Sequence, residues 1–239
     1  MNSQRDLFDL LDEVAYFNCA YTAPLLKSAQ AAGRQAIADK AVPWTITADD
    51  FYTTLEKARG LFARLVGATA DDVAIIPAAS YGVALAARNV TVEHNQKIIV
   101  LAEQFPSHLY AWRKLAQNTG AVINTVARPM NGRWTRAVLA EIDENTAVVA
   151  LPNCHWTDGS LVDLEAVGVK CRAVGAALVV DGTQSLGAMP FDVNDVQPDF
   201  LVTTAHKWLL GPYSFGFCYV APHRQEGEPL EENWLNREG

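Results

Sequence analysis

The chain has 239 residues, half of them hydrophobic and 19% charged, against a charged share of about 25% in ordinary globular domains. That composition excludes disordered, collagen-like and low-complexity chains, and the length suffices for a core that needs no disulfide or metal staple. Nineteen basic and twenty-seven acidic side chains give a net charge of −8, which repels nucleic acid and anionic lipid, and no basic patch offsets it.

The opening stretch MNSQRDLFDLLDE is acidic and amphipathic, unlike a signal peptide. Residues 24 to 39, PLLKSAQAAGRQAIAD, carry apolar side chains at helical spacing, and DDFYTTLEKARGLFARLVG spells a second amphipathic helix closed by Gly67. From residue 73 short β-type runs alternate with helical ones: VAIIP and SYGVALAARNV, KIIVLA and HLYAWRKLAQNTG, AVINTVA and WTRAVLAEID, TAVVALP and LVDLEAVGVKCRAVG, then ALVVDG. Near-continuous Val, Ile, Leu and Ala between helices predicts parallel strands buried on both faces, an open α/β sheet. FLVTTA and GFCYV follow as strands, separated by the helix-poor HKWLLGPYSF. The tail APHRQEGEPLEENWLNREG is polar and has no apolar face to bury, so the chain reads as cut short. The expected organisation is an N-terminal helical segment over 1–70, an α/β domain over 71–220 and a tail over 221–239. No apolar run approaches the roughly 20 residues of a membrane span, and the four cysteines (Cys19, Cys154, Cys171, Cys218) form no CxxC pair. A cytoplasmic protein with inert, packed thiols is expected.

Ligands of an open α/β sheet bind outside the carboxyl ends of its strands, so polar residues just beyond apolar runs are the candidates. ALVV runs into Asp181 and GTQS, FLVTTA into His206 and Lys207, VAIIP into AASYG, and KIIVLA into EQF. The small-residue turn Ala78-Ala79-Ser80-Tyr81-Gly82 opens a helix whose N-terminal amides suit a phosphate, although Ser80 could equally serve as an ordinary N-cap. It is neither a Walker loop nor GxGxxG, which disfavours a nucleotide-binding Rossmann protein. A carboxylate at a buried strand end, as for Asp181, calls for a cation. A half-buried lysine, as expected for Lys207, has a lowered pKa and a nucleophilic amine. His94 and His108 read as surface helix and turn residues, and Trp112, Trp134 and Trp208 as packing.

The segment ALVVDGTQSLGAMPFDVNDVQPDFLVTTAHKWLLGPYSFGFCYV resembles the core of fold-type I pyridoxal-5′-phosphate (PLP) enzymes, specifically the class V aminotransferase group with cysteine desulfurases, isopenicillin N epimerase-like proteins and kynureninase. The shared pattern is D-x-x-Q, about twenty residues, then T/S-x-H-K and G-P. YFNCAYTAPL, AASYG, EQFPSH and PNCHWTDGSLVDLEAV resemble further family segments. The resemblance implies the large domain of the PLP-dependent transferase fold, a mainly parallel sheet in a three-layer αβα arrangement. It implies Lys207 as the Schiff-base lysine and base at the substrate α-carbon, Asp181 as partner of the pyridinium nitrogen, and Gln184 as donor to the phenolic O3′. Ser80 with Ala79 and Tyr81, helped by Thr204 and His206, would bind the phosphate. Phe105 would stack on one ring face and Thr183 pack on the other, with His155 or Trp156 near O3′, where the usual Asn of desulfurases is not evident. An amino acid or amine substrate and a homodimer are also implied. Family members are longer, continuing into a domain that carries a substrate-carboxylate arginine and, in desulfurases, a nucleophilic cysteine. The sequence is therefore expected to be a fragment or a shortened homologue, either a PLP-dependent enzyme or a cofactor-binding remnant without turnover.

Overall fold

The computed structural model describes residues 3–233, so only residues 1–2 of the expected N-terminal segment and 234–239 of the expected tail lie outside the described residues. Seven strands form one sheet: β1 (Val73–Ile76), β2 (Lys97–Leu101), β3 (Val122–Val126), β4 (Thr146–Pro152), β5 (Ala177–Asp181), β6 (Phe200–Thr204) and β7 (Gly216–Val220). Their order is β1-β7-β6-β5-β4-β2-β3. Every apolar run read as a strand is one. The pairings from β3 through β6 are parallel, whereas β7 runs against both β6 and β1. The exception has a simple cause: the connection from β6 to β7 contains no helix, and a parallel return requires a long crossover.

The helices are α1 (Lys27–Lys40), α2 (Thr53–Val66), α3 (Ala79–Asn89), α4 (Tyr110–Thr119), α5 (Trp134–Glu141), α6 (Leu164–Val174) and the single turn α7 (Val193–Val196). α2, α5, α6 and α7 cover one face, packing Phe62, Trp134, Val138 and Val167 on Val149, Leu151, Leu178 and Val180. α3 and α4 cover the other, packing Val83, Ala86 and Trp112 on Val148, Ala150, Val179 and Val202. Alternate residues of the same strands thus enter opposite cores, which is why these strands lack the polar alternation of a one-sided sheet. The result is the expected three-layer αβα arrangement.

Two features position the strand ends. α2 ends at Gly67 with φ 74°, as its place in the sequence predicts. In α3, a Cβ on Gly82 would lie 2.6 Å from Val202 Cγ1 and 2.9 Å from Ile76 Cδ1, so the absent side chain sets how closely this helix rests on β6. The N-terminal third is held differently. α1 buries no residue, and the segment before it is tied to the sheet edge by Ala23 N–H donating to His206 O at 2.8 Å and Gln184 Nε2 donating to Ala20 O at 3.0 Å. Among the described residues no helix is long and apolar enough to cross a membrane.

Gly82→Ala is expected to push α3 off β6 and to destabilise the fold by about 1–3 kcal/mol, the usual range for overpacking. Urea unfolding should show this as a lowered midpoint at unchanged slope.

Candidate active site

The candidate residues converge because β5 and β6 are parallel neighbours. Asp181 ends β5 opposite Val202, and Lys207 stands three residues beyond the end of β6. Val179, two residues before Asp181, and Val202, two before Thr204, both belong to the core beneath α3 and α4. Strand periodicity therefore turns Asp181 and Thr204 to that same face.

Asp181 is 9% exposed, and its Oδ1 accepts the backbone N–H of Thr183 at 2.9 Å. Lys207 is half-buried, and its Nζ lies 5.5 Å from the centroid of the Phe105 ring. Burial pulls the Lys207 amine below the ordinary lysine value, and the Asp181 carboxylate opposes that shift. The turn carrying Lys207 is closed by Gly211 N–H donating to Ala205 O at 2.8 Å and Leu210 N–H donating to Lys207 O at 3.0 Å. His206 packs its ring on Tyr213 at 4.6 Å, and burial followed by the Lys207 charge lowers its pKa.

Ser80 does not cap its helix: the N-cap is Ala78, in extended conformation. Ser80 instead lies exposed in the first turn beside the buried Ala79. Tyr81 N–H already donates to Ala78 O at 3.0 Å, which leaves the Ala79 and Ser80 amides as the stronger anion donors at this helix end. Burial, followed by the nearby Glu231 charge, raises the pKa of the Tyr81 phenol. Thr204, at the β6 end beneath this helix, has a buried hydroxyl without a hydrogen-bond partner, and so has Thr183 after Asp181.

Phe105 and Trp156 form one wall, ring edge to ring face at 5.6 Å and 85°, with Trp156 Nε1 donating to Glu103 O at 2.7 Å. His155 does not join them. Its ring is fully buried and stacked on Trp134 at 5.2 Å, with Nε2 3.1 Å from Ala102 O and Nδ1 2.9 Å from Thr157 Oγ1. Both ring nitrogens are committed away from the cleft, so the loop offers Trp156 there and keeps His155 as a core residue. Gln184 spends one N–H on Ala20 O and accepts from Trp208 Nε1 at 3.1 Å, leaving its second amide hydrogen for a ligand.

Sequence reasoning missed two residues. Arg128, just past β3, donates to Glu103 at 2.8 Å and Thr157 at 2.7 Å, pairs with Asp158 and lies 5.3 Å from the centroid of the Trp134 ring. It joins the loop bearing Trp156 to the loop bearing Phe105. The strand-end rule that selected Asp181 would also have found it. His108, expected at the surface, is 1% exposed; the Gln104 amide that draws it inward could not be inferred from sequence spacing. Burial and then Asp158 raise the Cys154 thiol, and burial pushes Cys171 and Cys218 up to about 12. Among the described residues no cluster of His, Cys, Asp or Glu is placed to hold a metal.

A buried carboxylate, a half-buried amine, an aromatic wall, a helix N-terminus and two unpaired threonine hydroxyls on one strand edge suit a flat, anionic, carbonyl-bearing ligand. The Aminotransferase class-V family model matches residues 44–232. An uncharacterized aminotransferase, YcbU, of Bacillus subtilis is 30% identical over 186 residues, 77% of this chain and 49% of its own length. Isopenicillin N epimerase of Streptomyces clavuligerus is 27% identical over 185 residues, 75% of this chain and 46% of its own. The chain thus spans about half the length of these curated relatives. The apo cysteine desulfurase of Thermococcus onnurineus superposes with a TM-score of 0.81 over 93% of this chain and 58% of that one, at 22% identity. A C-DES variant with glycine covalently linked to its PLP cofactor gives 0.84 over 93% and 60%, at 18% identity.

Two outcomes follow from this geometry without any ligand. Arg128→Ala should raise amide exchange in residues 153–160 and 102–105 while exchange in β4 and β5 stays slow, as read by mass spectrometry. Lys207 should be reductively methylated ahead of ordinary exposed lysines near pH 8. Asp181→Asn, by removing the charge that raises its pKa, should speed that labelling further.

Proposed function

This chain belongs to the class-V aminotransferase family, and from that premise we propose that it binds pyridoxal 5′-phosphate and acts on an amino acid or amine. The observation that carries the reading is the placement of Lys207 beside Asp181 on adjacent parallel strand ends, with Phe105 under the amine. The unpaired Thr183 and Thr204 hydroxyls fit the same ligand, because a buried donor without a partner is costly unless something fills the space beside it.

When bound, the cofactor supplies an electron sink for negative charge at the substrate α-carbon. The chain's residues do the rest. Lys207 would hold the cofactor, and burial lowers the pKa of its amine, which favours the neutral form that both a nucleophile and a base require. Asp181, shielded from water, would favour a proton on the ring nitrogen. Phe105 and Trp156 would exclude solvent on one side of the ring. Ser80, Ala79, Thr204 and His206 would bind the phosphate, and the free amide hydrogen of Gln184 would serve the phenolic oxygen.

The reaction class extends over transamination, elimination, desulfuration and epimerisation, since all begin with removal of a proton at that carbon. We place the protein in the cytoplasm as a homodimer, a state supported by the exposed Phe17, Tyr21 and Tyr213. A cofactor-binding protein without turnover is the second reading.

Incubation with PLP should produce a visible absorbance band and, after borohydride, an adduct on Lys207; Lys207→Ala should abolish both. Asp181→Asn should retain PLP and slow turnover by orders of magnitude. A band that amino acids shift, with product formed, supports the enzyme. A band that never responds supports the binding protein, and a colourless protein without adduct overturns both.

A further inference from the structure

The turn that follows β2 carries Phe105 toward Lys207, and Glu103 is its pivot. Ala102 N–H donates to Val126 O at 2.8 Å, extending the pairing of β2 with β3 by one residue. Glu103 then takes φ 55°, a left-handed conformation that residues with a side chain rarely adopt. Its carbonyl accepts the indole Nε1–H of Trp156, from the loop after β4, at 2.7 Å. Its carboxylate turns to the end of β3, where Oε2 accepts Arg128 Nε at 2.8 Å and lies 2.7 Å from Nη2.

Every link from that pivot to the Lys207 amine is a direct contact. Trp156, held by Glu103 O, meets the Phe105 ring at 5.6 Å and 85°, and Lys207 Nζ lies 5.5 Å from the centroid of the same Phe105 ring. Arg128 also secures the far side of the Trp156 loop, donating to Thr157 Oγ1 at 2.7 Å and pairing with Asp158. One guanidinium thus holds both Glu103 and the two residues that follow Trp156. The Arg128 and Glu103 side chains are 32% and 62% exposed, so their ion pair adds little to global stability. What it supplies is a fixed anchor for a side chain whose backbone sits where only glycine is at ease.

We propose that Glu103 is a positioning residue for the aromatic wall: its carboxylate, anchored on Arg128, holds the turn in which its carbonyl seats Trp156, and the seated indole sets how Phe105 stands against the Lys207 amine. The inference rests on the PLP reading only for what the wall then faces, one side of the cofactor ring; the coupling of Glu103 to Trp156 belongs to the chain itself. Oε2 is the oxygen that engages Arg128, so an amide oxygen in its place still accepts a charge-assisted bond from the guanidinium. The requirement is an acceptor at that point, and a side chain without one releases the turn.

The test is nitrogen NMR of tryptophan-labelled, cofactor-free protein, with the Trp156 indole signal assigned by its loss in Trp156→Phe. Glu103→Ala should speed exchange of that N–H about tenfold, the scale of one charge-assisted hydrogen bond, while the urea midpoint moves little. Glu103→Gln, which keeps the acceptor, should stay near wild type. Glu103→Gly accepts the left-handed backbone without strain yet lacks the carboxylate, so it should match Glu103→Ala and takes its place if that variant does not fold. Wild-type exchange in Glu103→Gly, or equal losses in Glu103→Gln and Glu103→Ala, overturns the proposal, as does faster exchange that only follows a lowered urea midpoint. Circular dichroism of the visible band of PLP-loaded protein supplies the second readout: the band should weaken in Glu103→Ala and recover in Glu103→Gln. Identical bands in wild type and both variants also overturn the proposal. If wild type binds no PLP, the cofactor reading fails while indole exchange still decides the role of Glu103.

Discussion

The structure depends on one electrostatic arrangement: a buried carboxylate at the end of one strand and a half-buried amine just beyond the end of its parallel neighbour. Asp181 is deeply buried and Lys207 half-buried, and neither burial would be tolerated without a counter-charge. The two influences on Lys207 pull in opposite directions, with burial lowering its pKa and Asp181 restoring it. That opposition keeps the lysine between a permanently charged surface amine and a neutral core residue. The parallel pairing of β5 with β6 is what enforces it, since it brings two residues that are 26 positions apart to one edge.

The remainder of the scaffold holds that edge in register. α3 approaches β6 closely at Gly82 and brings its N-terminal amides over Thr204. Arg128 spans from the end of β3 to the loops after β2 and β4, binding Glu103, Asp158 and Thr157 at once. Each of its ion pairs is partly exposed and individually weak in water. Their value lies in geometry, because one planar guanidinium fixes two loops that share no backbone pairing beyond the strands. The N-terminal segment, with no buried helix of its own, is drawn to the same edge through Ala20 and Ala23. A segment tethered through Ala20, Thr22 and Ala23 to Gln184 and His206 depends on the site turn, and disturbance there reaches it directly.

Much of this was legible in the sequence, and the illegible parts share a cause. Strands β4 and β5 declared themselves through uninterrupted apolar runs, because burial on both faces leaves no polar alternation to confuse the period. Asp181, Lys207 and the AASYG turn were visible because the strand-end rule is local. The antiparallel course of β7 follows from a connection too short for a crossover, which the helix-poor HKWLLGPYSF already suggested. The two histidines were not legible. His155 resembles a site residue by position, yet turns inward because Trp134, Ala102 and Thr157 receive it. His108 resembles a surface residue by position, yet is enclosed because Gln104 and Ala150 hold it. Partners distant in sequence decide both, and a single sequence does not reveal which way an imidazole turns.

The distribution of unsatisfied groups carries the argument further than any single contact. Among the described residues, four buried side-chain polar atoms lack a hydrogen-bond partner: Thr183 Oγ1, Thr204 Oγ1, His108 Nε2 and Trp112 Nε1. The first two stand at the ends of β5 and β6, on either side of the Asp181 and Lys207 pair, and the third is within the field of Asp181. Elsewhere, Trp112 Nε1 apart, the described residues satisfy their buried side-chain polar atoms: Asp199 takes Leu178 N–H, His223 and Arg224, and His155 uses both ring nitrogens. Two of the four unpaired atoms thus fall on the strand edge that carries Asp181 and Lys207, where the chain retains hydrogen-bonding capacity that its own groups do not use. Capacity of that kind beside a buried carboxylate and a half-buried amine is what makes this edge, rather than the paired cluster around Asp199, the candidate site.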